Sequence, residues 1–235
     1  MQQHLRVPRR FNGPPRSGNG GWTAGALAAL LPGADLGTAV TVALRMPPPL
    51  DVPMPLAATA NGVLATHQGR TVAEASYADR APEPVPAVPV REAALAEGRY
   101  HGHQHHPFPT CFACGPARRP GDGLRIFPGP VSEDDRHRVA ATWTPFESTV
   151  PITWAALDCA GGWSSDLEER PLVLGTITVL IERLPTTAER YVVVAEERGT
   201  EGRKTRTAST LYDPVGEVVA SAEHVWIAID PKEFS

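Results

Sequence analysis

One stretch limits what this chain can fold into more than any other. Thr149-Val-Pro-Ile-Thr-Trp-Ala-Ala-Leu-Asp-Cys-Ala-Gly-Gly-Trp163 carries Ile152, Trp154, Ala155, Ala156, Leu157, Cys159 and Ala160 around its whole circumference, with a single carboxylate, Asp158, among them. Ser148 or Thr149 can cap such a helix, Pro151 suits its first turn, and Gly161-Gly162 suits its end. A helix without a polar face lies inside a protein. An ionised carboxylate is costly there, and no Lys or Arg lies within a helical turn of it, so Asp158 must be hydrogen-bonded, paired or used.

The chain also repeats itself. Leu36-Gly-Thr-Ala-Val-Thr-Val-Ala-Leu-Arg-Met-Pro47 lies without a gap on Leu174-Gly-Thr-Ile-Thr-Val-Leu-Ile-Glu-Arg-Leu-Pro185. Further on, Gly69-Arg-Thr-Val-Ala-Glu-Ala75 matches Gly216-Glu-Val-Val-Ala-Ser-Ala222 in the same order. A helix precedes the first member of each pair: a small-residue one over Gly18 to Leu31 in the first half, the Asp158 helix in the second. Two matched segments in register identify a tandem duplication.

Each half reads as a short strand, a buried helix, then a run of strands. The first half offers Leu5 to Pro8 as an edge strand, a turn-rich loop over residues 11–18, the helix, and strands over Thr38 to Met46, Leu56 to Thr66 with an Asn61-Gly62 turn signal inside it, and Thr71 to Ala78. The Pro- and Ala-rich passage from Arg80 to Pro89 has linker composition, and Arg91 to Glu97 suits a short helix. The second half offers Leu124 to Phe127 and Arg138 to Thr144, then, after the Asp158 helix, four strands over Leu172 to Leu184, Tyr191 to Arg198, Lys204 to Tyr212 and Val218 to Ile229. The division is therefore 1–90 as a first repeat, 91–120 as a linker, and 121–235 as a second repeat. One buried helix on a long antiparallel sheet, repeated once, is an α+β architecture.

These features resemble the hotdog fold of acyl-CoA thioesterases, and the duplication resembles its double-hotdog form, each half a long buried helix wrapped by an antiparallel sheet. In one branch of that superfamily the helix starts His-Gly-Gly and later carries an Asp followed by a small residue or two and Gly. Here the pattern is split. Asn19-Gly20-Gly21 resembles the helix start, with Asn for His and Ala28 at the aspartate place, while Ala156-Leu-Asp-Cys-Ala-Gly161 resembles the aspartate segment, its helix starting Thr149-Val150-Pro151 without Gly-Gly. In dimeric members each site takes a helix start from one subunit and a carboxylate from the other, so fusing two copies lets one of two sites decay. The resemblance implies one surviving composite site. Gly20 and Gly21 N–H groups would hold the thioester carbonyl oxygen, and Asp158 would attack the carbonyl or activate water. The resemblance also implies a side-chain amide aimed at the carbonyl, near Asn12, and a hydroxyl positioning the water, near Thr176. Such a site requires Asp158 within roughly 10 Å of the Gly20 amide.

Each residue keeps a plainer reading as well: Asp158 a hydrogen-bonded structural carboxylate, Gly20 and Gly21 points of close helix packing, Asn19 an N-cap. Two functions follow: hydrolysis of an acyl-CoA or acyl-carrier thioester, or a non-catalytic hotdog protein binding an acyl-CoA or lipid ligand. A hydratase of this fold fits poorly, because Trp163 stands where its His would.

Tyr100-His-Gly-His-Gln-His-His-Pro-Phe-Pro-Thr-Cys-Phe-Ala-Cys-Gly115 has zinc-ligand residue types, but a second C-x-x-C is missing and the spacing is short. Cys111-Phe-Ala-Cys114-Gly, followed by Gly123-Leu124, resembles the opening of many single-hotdog proteins, so the segment is read as the start of the second repeat, with neither metal nor cofactor expected. A net charge of -4 without a basic tail argues against nucleic acid as a partner. No apolar run approaches the roughly 18 residues of a membrane span, and the first ten residues lack the apolar core of a secretory signal, so a cytoplasmic protein with three reduced cysteines is expected. Sheet edges left open by the fold point to a homodimer of double hotdogs.

Overall fold

The structure, a computed structural model, describes residues 3–132, 135, 137–165, 167 and 170–229. One antiparallel sheet of eleven strands runs through all of them. The first half contributes β1 (His4–Leu5), the helix α1 (Gly20–Ala28), β2 (Val40–Leu44), β3 (Met54–Thr59), β4 (Gly62–His67) and β5 (Arg70–Tyr77). A second helix, α2 (Val90–Glu97), then leads to β6 (Gly129–Pro130), β7 (Arg138–Trp143), α3 (Val150–Trp163), β8 (Leu172–Ile181), β9 (Tyr191–Glu201), β10 (Lys204–Tyr212) and β11 (Val218–Ala228).

The strand order is β1-β3-β4-β5-β2-β8-β11-β10-β9-β7-β6, and apart from the extra edge strand β6 it has the same pattern from either end. At its centre β2 pairs with β8, Val40 facing Val179 and Thr41 facing Thr178. The sequence alignment that lays Leu36 on Leu174 also lays Val40 on Thr178 and Thr41 on Val179, so the central pairing has a local two-fold axis between those residues. On the outer face, the Thr41 and Thr178 hydroxyls meet at 2.8 Å across that axis.

α1 and α3 lie side by side on one face of the sheet. Asn19 caps α1, its side-chain oxygen accepting from the Trp22 N–H at 2.8 Å, and Thr149 caps α3 through the Ile152 N–H. α3 does not stop at Gly161-Gly162, as the glycine pair predicts, but runs on to Trp163. Gly161 is needed for approach: a Cβ there would stand 2.6 Å from the Thr207 hydroxyl and 2.8 Å from His224 Nδ1.

The helices cover the sheet unequally. In β9, Val193 and Ala195 join the main core while Val192 and Val194 point to the opposite face. That second face is covered by α2 and by the Pro- and Ala-rich passage, where Val85 and Val88 pack with Ala93, Ala96 and Tyr212. The Val85 N–H donates to Thr210 Oγ1 at 2.8 Å, and the Ser221 hydroxyl donates to the Pro82 carbonyl at 3.3 Å. A composition that reads as a spacer is thus an ordered strap, its prolines tolerated because it adds no strand to the ladder.

The expected strand over Leu124 to Phe127 does not form. Arg125 has φ +55°, outside the β region, and the Leu124 and Ile126 N–H groups donate to the Phe112 and Ala113 carbonyls of the cysteine loop. Only Gly129–Pro130 pairs with β7. The expected strand over Leu56 to Thr66 is two, because Asn61 turns the chain between β3 and β4.

His224 on β11 is 2% exposed. Its Nδ1 lies 3.1 Å from the Thr207 hydroxyl and 3.3 Å from the Thr207 carbonyl, and buried Nε2 has no hydrogen-bond partner among the described residues. Burial lowers its pKa from 6.5 to about 4. Below pH 6.5 the unfolded chain takes up a proton that the folded one refuses until about pH 4. Stability contributed by this residue is therefore complete above pH 6.5 and falls by about 3 kcal/mol as pH drops to 4. Urea unfolding across that window checks it: His224→Asn, which keeps a donor but does not titrate, should flatten the slope, and an unchanged slope would assign the acid sensitivity elsewhere.

Candidate active site

Asp158 sits in the middle of α3 and is 2% exposed. Its Oδ2 accepts from the Gly21 backbone N–H at 2.9 Å and from Asn19 Nδ2 at 2.8 Å. Both donors belong to the start of α1, where the first N–H groups of a helix have no partner within it and carry partial positive charge. The missing partner of the buried carboxylate is therefore the helix start 137 positions upstream. Asp158 Oδ1 is buried and has no hydrogen-bond partner.

Close approach demands glycine. A Cβ on Gly21 would lie 2.5 Å from Asp158 Cβ and 2.7 Å from the Trp154 carbonyl oxygen, and one on Gly25 would lie 2.7 Å from the Trp154 side chain and 2.8 Å from Pro151 Cα. Gly21 thus serves packing and donation together. Desolvation raises the Asp158 pKa to about 7, against the Gly21 N–H and Asn19 amide, which favour the ionised form.

A cavity of about 300 Å³ opens onto these residues between the two halves of the chain. Gly18, Asn19 and Gly20 line one side, Asp158 and Trp163 another, and Met46, Leu174 and Trp226 supply apolar walls. Among the described residues no acceptor takes the Gly20 N–H. Against the expectation that Gly20 and Gly21 act together on a ligand, the structure divides them: Gly21 holds Asp158, and Gly20 faces the cavity with a free donor.

Two of the expected residues are elsewhere. Asn12 Nδ2 donates to the Gly13 and Thr110 carbonyls at 3.0 and 3.2 Å, and its Oδ1 accepts from Arg118, so its amide ties two loops together and does not line the cavity. Thr176 faces Ala43 and Val225 across the ladders and is likewise outside the cavity lining. Its β8 neighbours Leu174 and Gly175 line the wall instead.

The cavity also holds three residues that the sequence set aside as the start of the second repeat, and one, Cys159, that it passed over. His106, Cys111, Cys114 and Cys159 line it together. The three sulfurs lie within 4.8 Å of one another. Cys159 escapes notice in sequence because a small apolar residue on a buried helix needs no explanation. Hydrogen bonds from the Cys114 and Cys159 thiols, aided by the Cys114 and Ala113 backbone N–H groups, hold the Cys111 thiol well below its usual range despite burial.

A second cavity, about 40 Å³, is lined by Ala28 of α1, Val150 and Trp154 of α3, and Val40 and Val179 of the central strands.

Asn19→Ala removes both the α1 cap and one Asp158 donor. Expected is a loss of about 1 kcal/mol in urea unfolding, and a return of that stability in Asn19→Asp would be the wrong result, since a second carboxylate at 2.8 Å repels the first.

No family model and no curated protein matches the sequence. Solved structures do resemble the fold. The tesB protein of Mycobacterium avium subsp. paratuberculosis is 11% identical with a TM-score of 0.62, over 96% of this chain and 91% of that one. The acyl-CoA thioesterase II TesB2 of Mycobacterium marinum is 10% identical, TM-score 0.59, over 98% and 94%. A conserved protein of unknown function with hot dog fold from Alicyclobacillus acidocaldarius is 14% identical, TM-score 0.59, over 97% and 93%. The chain has the hotdog fold.

Proposed function

We propose that this chain is a tandem double hotdog that hydrolyses an acyl thioester, carried by coenzyme A or a carrier protein, at one composite site between its repeats. The observation that carries the reading is the grip of the α1 start on Asp158: Gly21 N–H at 2.9 Å and Asn19 Nδ2 at 2.8 Å, beside the cavity. Structural packing alone does not require a half-satisfied buried acid. Leaving Oδ1 without a partner costs on the order of 1–3 kcal/mol, which a working carboxylate explains.

The chemistry follows from the two free groups. The Gly20 N–H meets the thioester carbonyl oxygen as negative charge develops on it. Asp158 Oδ1 takes a proton from water as the water oxygen bonds to the carbonyl carbon, or attacks that carbon itself before water releases the acyl group. The carbon–sulfur bond breaks, the thiolate takes a proton, and a carboxylic acid and a thiol result. The acyl-CoA thioesterase designation of the M. marinum neighbour supports the substrate class.

A second reading, an acyl-thioester or lipid binder without turnover, draws on the consumption of Gly21 N–H by Asp158, which leaves one backbone donor for the carbonyl. Incubation with a panel of acyl-CoA thioesters, read by thiol release and by calorimetric binding, separates the two. Release from at least one chain length supports hydrolysis, binding without release supports the second reading, and neither sinks both.

We place the protein in the cytoplasm as a homodimer. The free thiols fit a reducing compartment, and among the described residues no helix is long and apolar enough to cross a membrane. The sheet ends in two-residue strands, β1 and β6, which offer little edge, so pairing would use faces. Sedimentation equilibrium measures this directly.

A further inference from the structure

The thioester reading makes no use of Cys111, Cys114 and Cys159, although they share the cavity wall. We propose that these three thiols form a zinc site, three thiolates on one ion with a neutral fourth ligand, water, supplied from the cavity.

The geometry is that of a metal cage. The Cys111 and Cys159 sulfurs are 3.7 Å apart. Two sulfurs bound at about 2.3 Å around a tetrahedral zinc are separated by about 3.8 Å. All three sulfurs lie within 4.8 Å of one another, so a small shift closes the set. They come from two separate elements, the loop 111–114 and the helix α3, as a cross-linking site would require.

Polar N–H groups already stand beside the sulfurs. Asn19 Nδ2 stands 3.8 Å from both Cys111 Sγ and Cys159 Sγ. His106 Nε2 stands 3.3 Å from Cys114 Sγ. The Phe108 N–H donates to His106 Nδ1 at 2.9 Å, which places the ring proton on Nε2. His106 therefore donates to the sulfur and is not itself a fourth ligand. Zinc cancels two of the three thiolate charges, and these donors offset the remaining one, the role that polar groups behind metal ligands commonly have. On binding, the three thiols give their protons to solvent as three sulfur–zinc bonds form.

Zinc, among the ions that thiolates favour, suits a tetrahedral three-cysteine set completed by water. Three thiolates are soft ligands without carboxylate or carbonyl oxygen, which disfavours magnesium and calcium. Occupancy would fasten the loop to α3 one residue from Asp158, with Asn19 shared between carboxylate and sulfurs.

The full chain, expressed in zinc-supplemented medium and purified without chelator, is tested by elemental analysis. One zinc per chain is expected. Cobalt added anaerobically to the stripped protein should give a thiolate-to-cobalt charge-transfer band. Cys159→Ser and Cys114→Ser should bring the metal to background, and His106→Ala should weaken binding about tenfold. Asp158→Asn should keep the metal, so loss of hydrolysis and loss of zinc are read separately. Should a cysteine variant fail to fold, the wild-type stoichiometry and cobalt band still decide. The proposal is overturned by a wild-type chain that takes up neither ion, by zinc retained at full stoichiometry in folded Cys159→Ser, or by a metal-free chain isolated with a Cys111–Cys159 disulfide.

Discussion

Asp158→Asn should lower kcat/KM for the best acyl thioester by about a thousandfold, the middle of the range that a positioned general base contributes, while leaving the fold intact. The amide oxygen can still accept from Gly21 and Asn19, so the helix pair keeps its contact, but the group that replaces Oδ1 can neither take a proton nor attack. Removal of a charge from a site 2% exposed also relieves its burial, so the variant should unfold at the same or higher urea concentration than the parent at pH 8. The pair of readouts matters. A thousandfold loss with retained stability assigns the carboxylate to chemistry, whereas equal activity makes it the hydrogen-bonded structural group of the plainer reading.

Gly21→Ala and Gly25→Ala should cost similar stability and differ in activity. Each methyl meets backbone: the Trp154 carbonyl at 2.7 Å for Gly21, Pro151 Cα at 2.8 Å for Gly25. The gain in helix propensity is about 1 kcal/mol, and overpacking of this kind costs up to about 3 kcal/mol, so a net loss near 2 kcal/mol is expected for both. Only Gly21 touches Asp158, with its would-be Cβ 2.5 Å from the aspartate Cβ and its N–H on Oδ2. A displacement of about 1 Å at reacting groups is worth about a hundredfold in rate. Gly21→Ala should therefore lose about that factor in kcat/KM, and Gly25→Ala less than about tenfold. Equal kinetic losses would mean that helix separation in general, not the Gly21 contact, governs turnover.

The parts of the molecule that could be read in sequence are those where one local rule suffices. An all-apolar helix must be inside, and α3 is. Matched segments imply matched strands, and β2 and β8 meet at the centre of the sheet while β5 and β11 flank them. What could not be read depends on partners distant in the chain. Leu124 to Phe127 has strand residues, yet the cysteine loop takes its N–H groups. Asn12 has the chemistry of a carbonyl donor, yet Thr110 and Arg118 occupy its amide from about a hundred positions away. Thr176 fails by parity: the outward alternation of β8 that exposes Thr178 to Thr41 turns it away from the helices. Cys159 gains significance only once the loop of Cys111 is folded against it.

The small cavity beside Ala28 and Val150 bears on how such a chain can change over time. In an assembly of identical subunits every substitution appears twice, so a site can be lost only together with its twin. On the proposed duplication the two halves carry separate residues at corresponding positions, and one site can change without the other. Ala28 holds no acid, Val150 and Pro151 no glycines, and Trp154 fills the space beside them, while the mirrored positions keep Gly20, Gly21 and Asp158. On the proposed reading with Asp158 as nucleophile, active-site titration with a slow-turnover substrate should count one burst equivalent per chain rather than two, leaving the other half free to be selected for support alone.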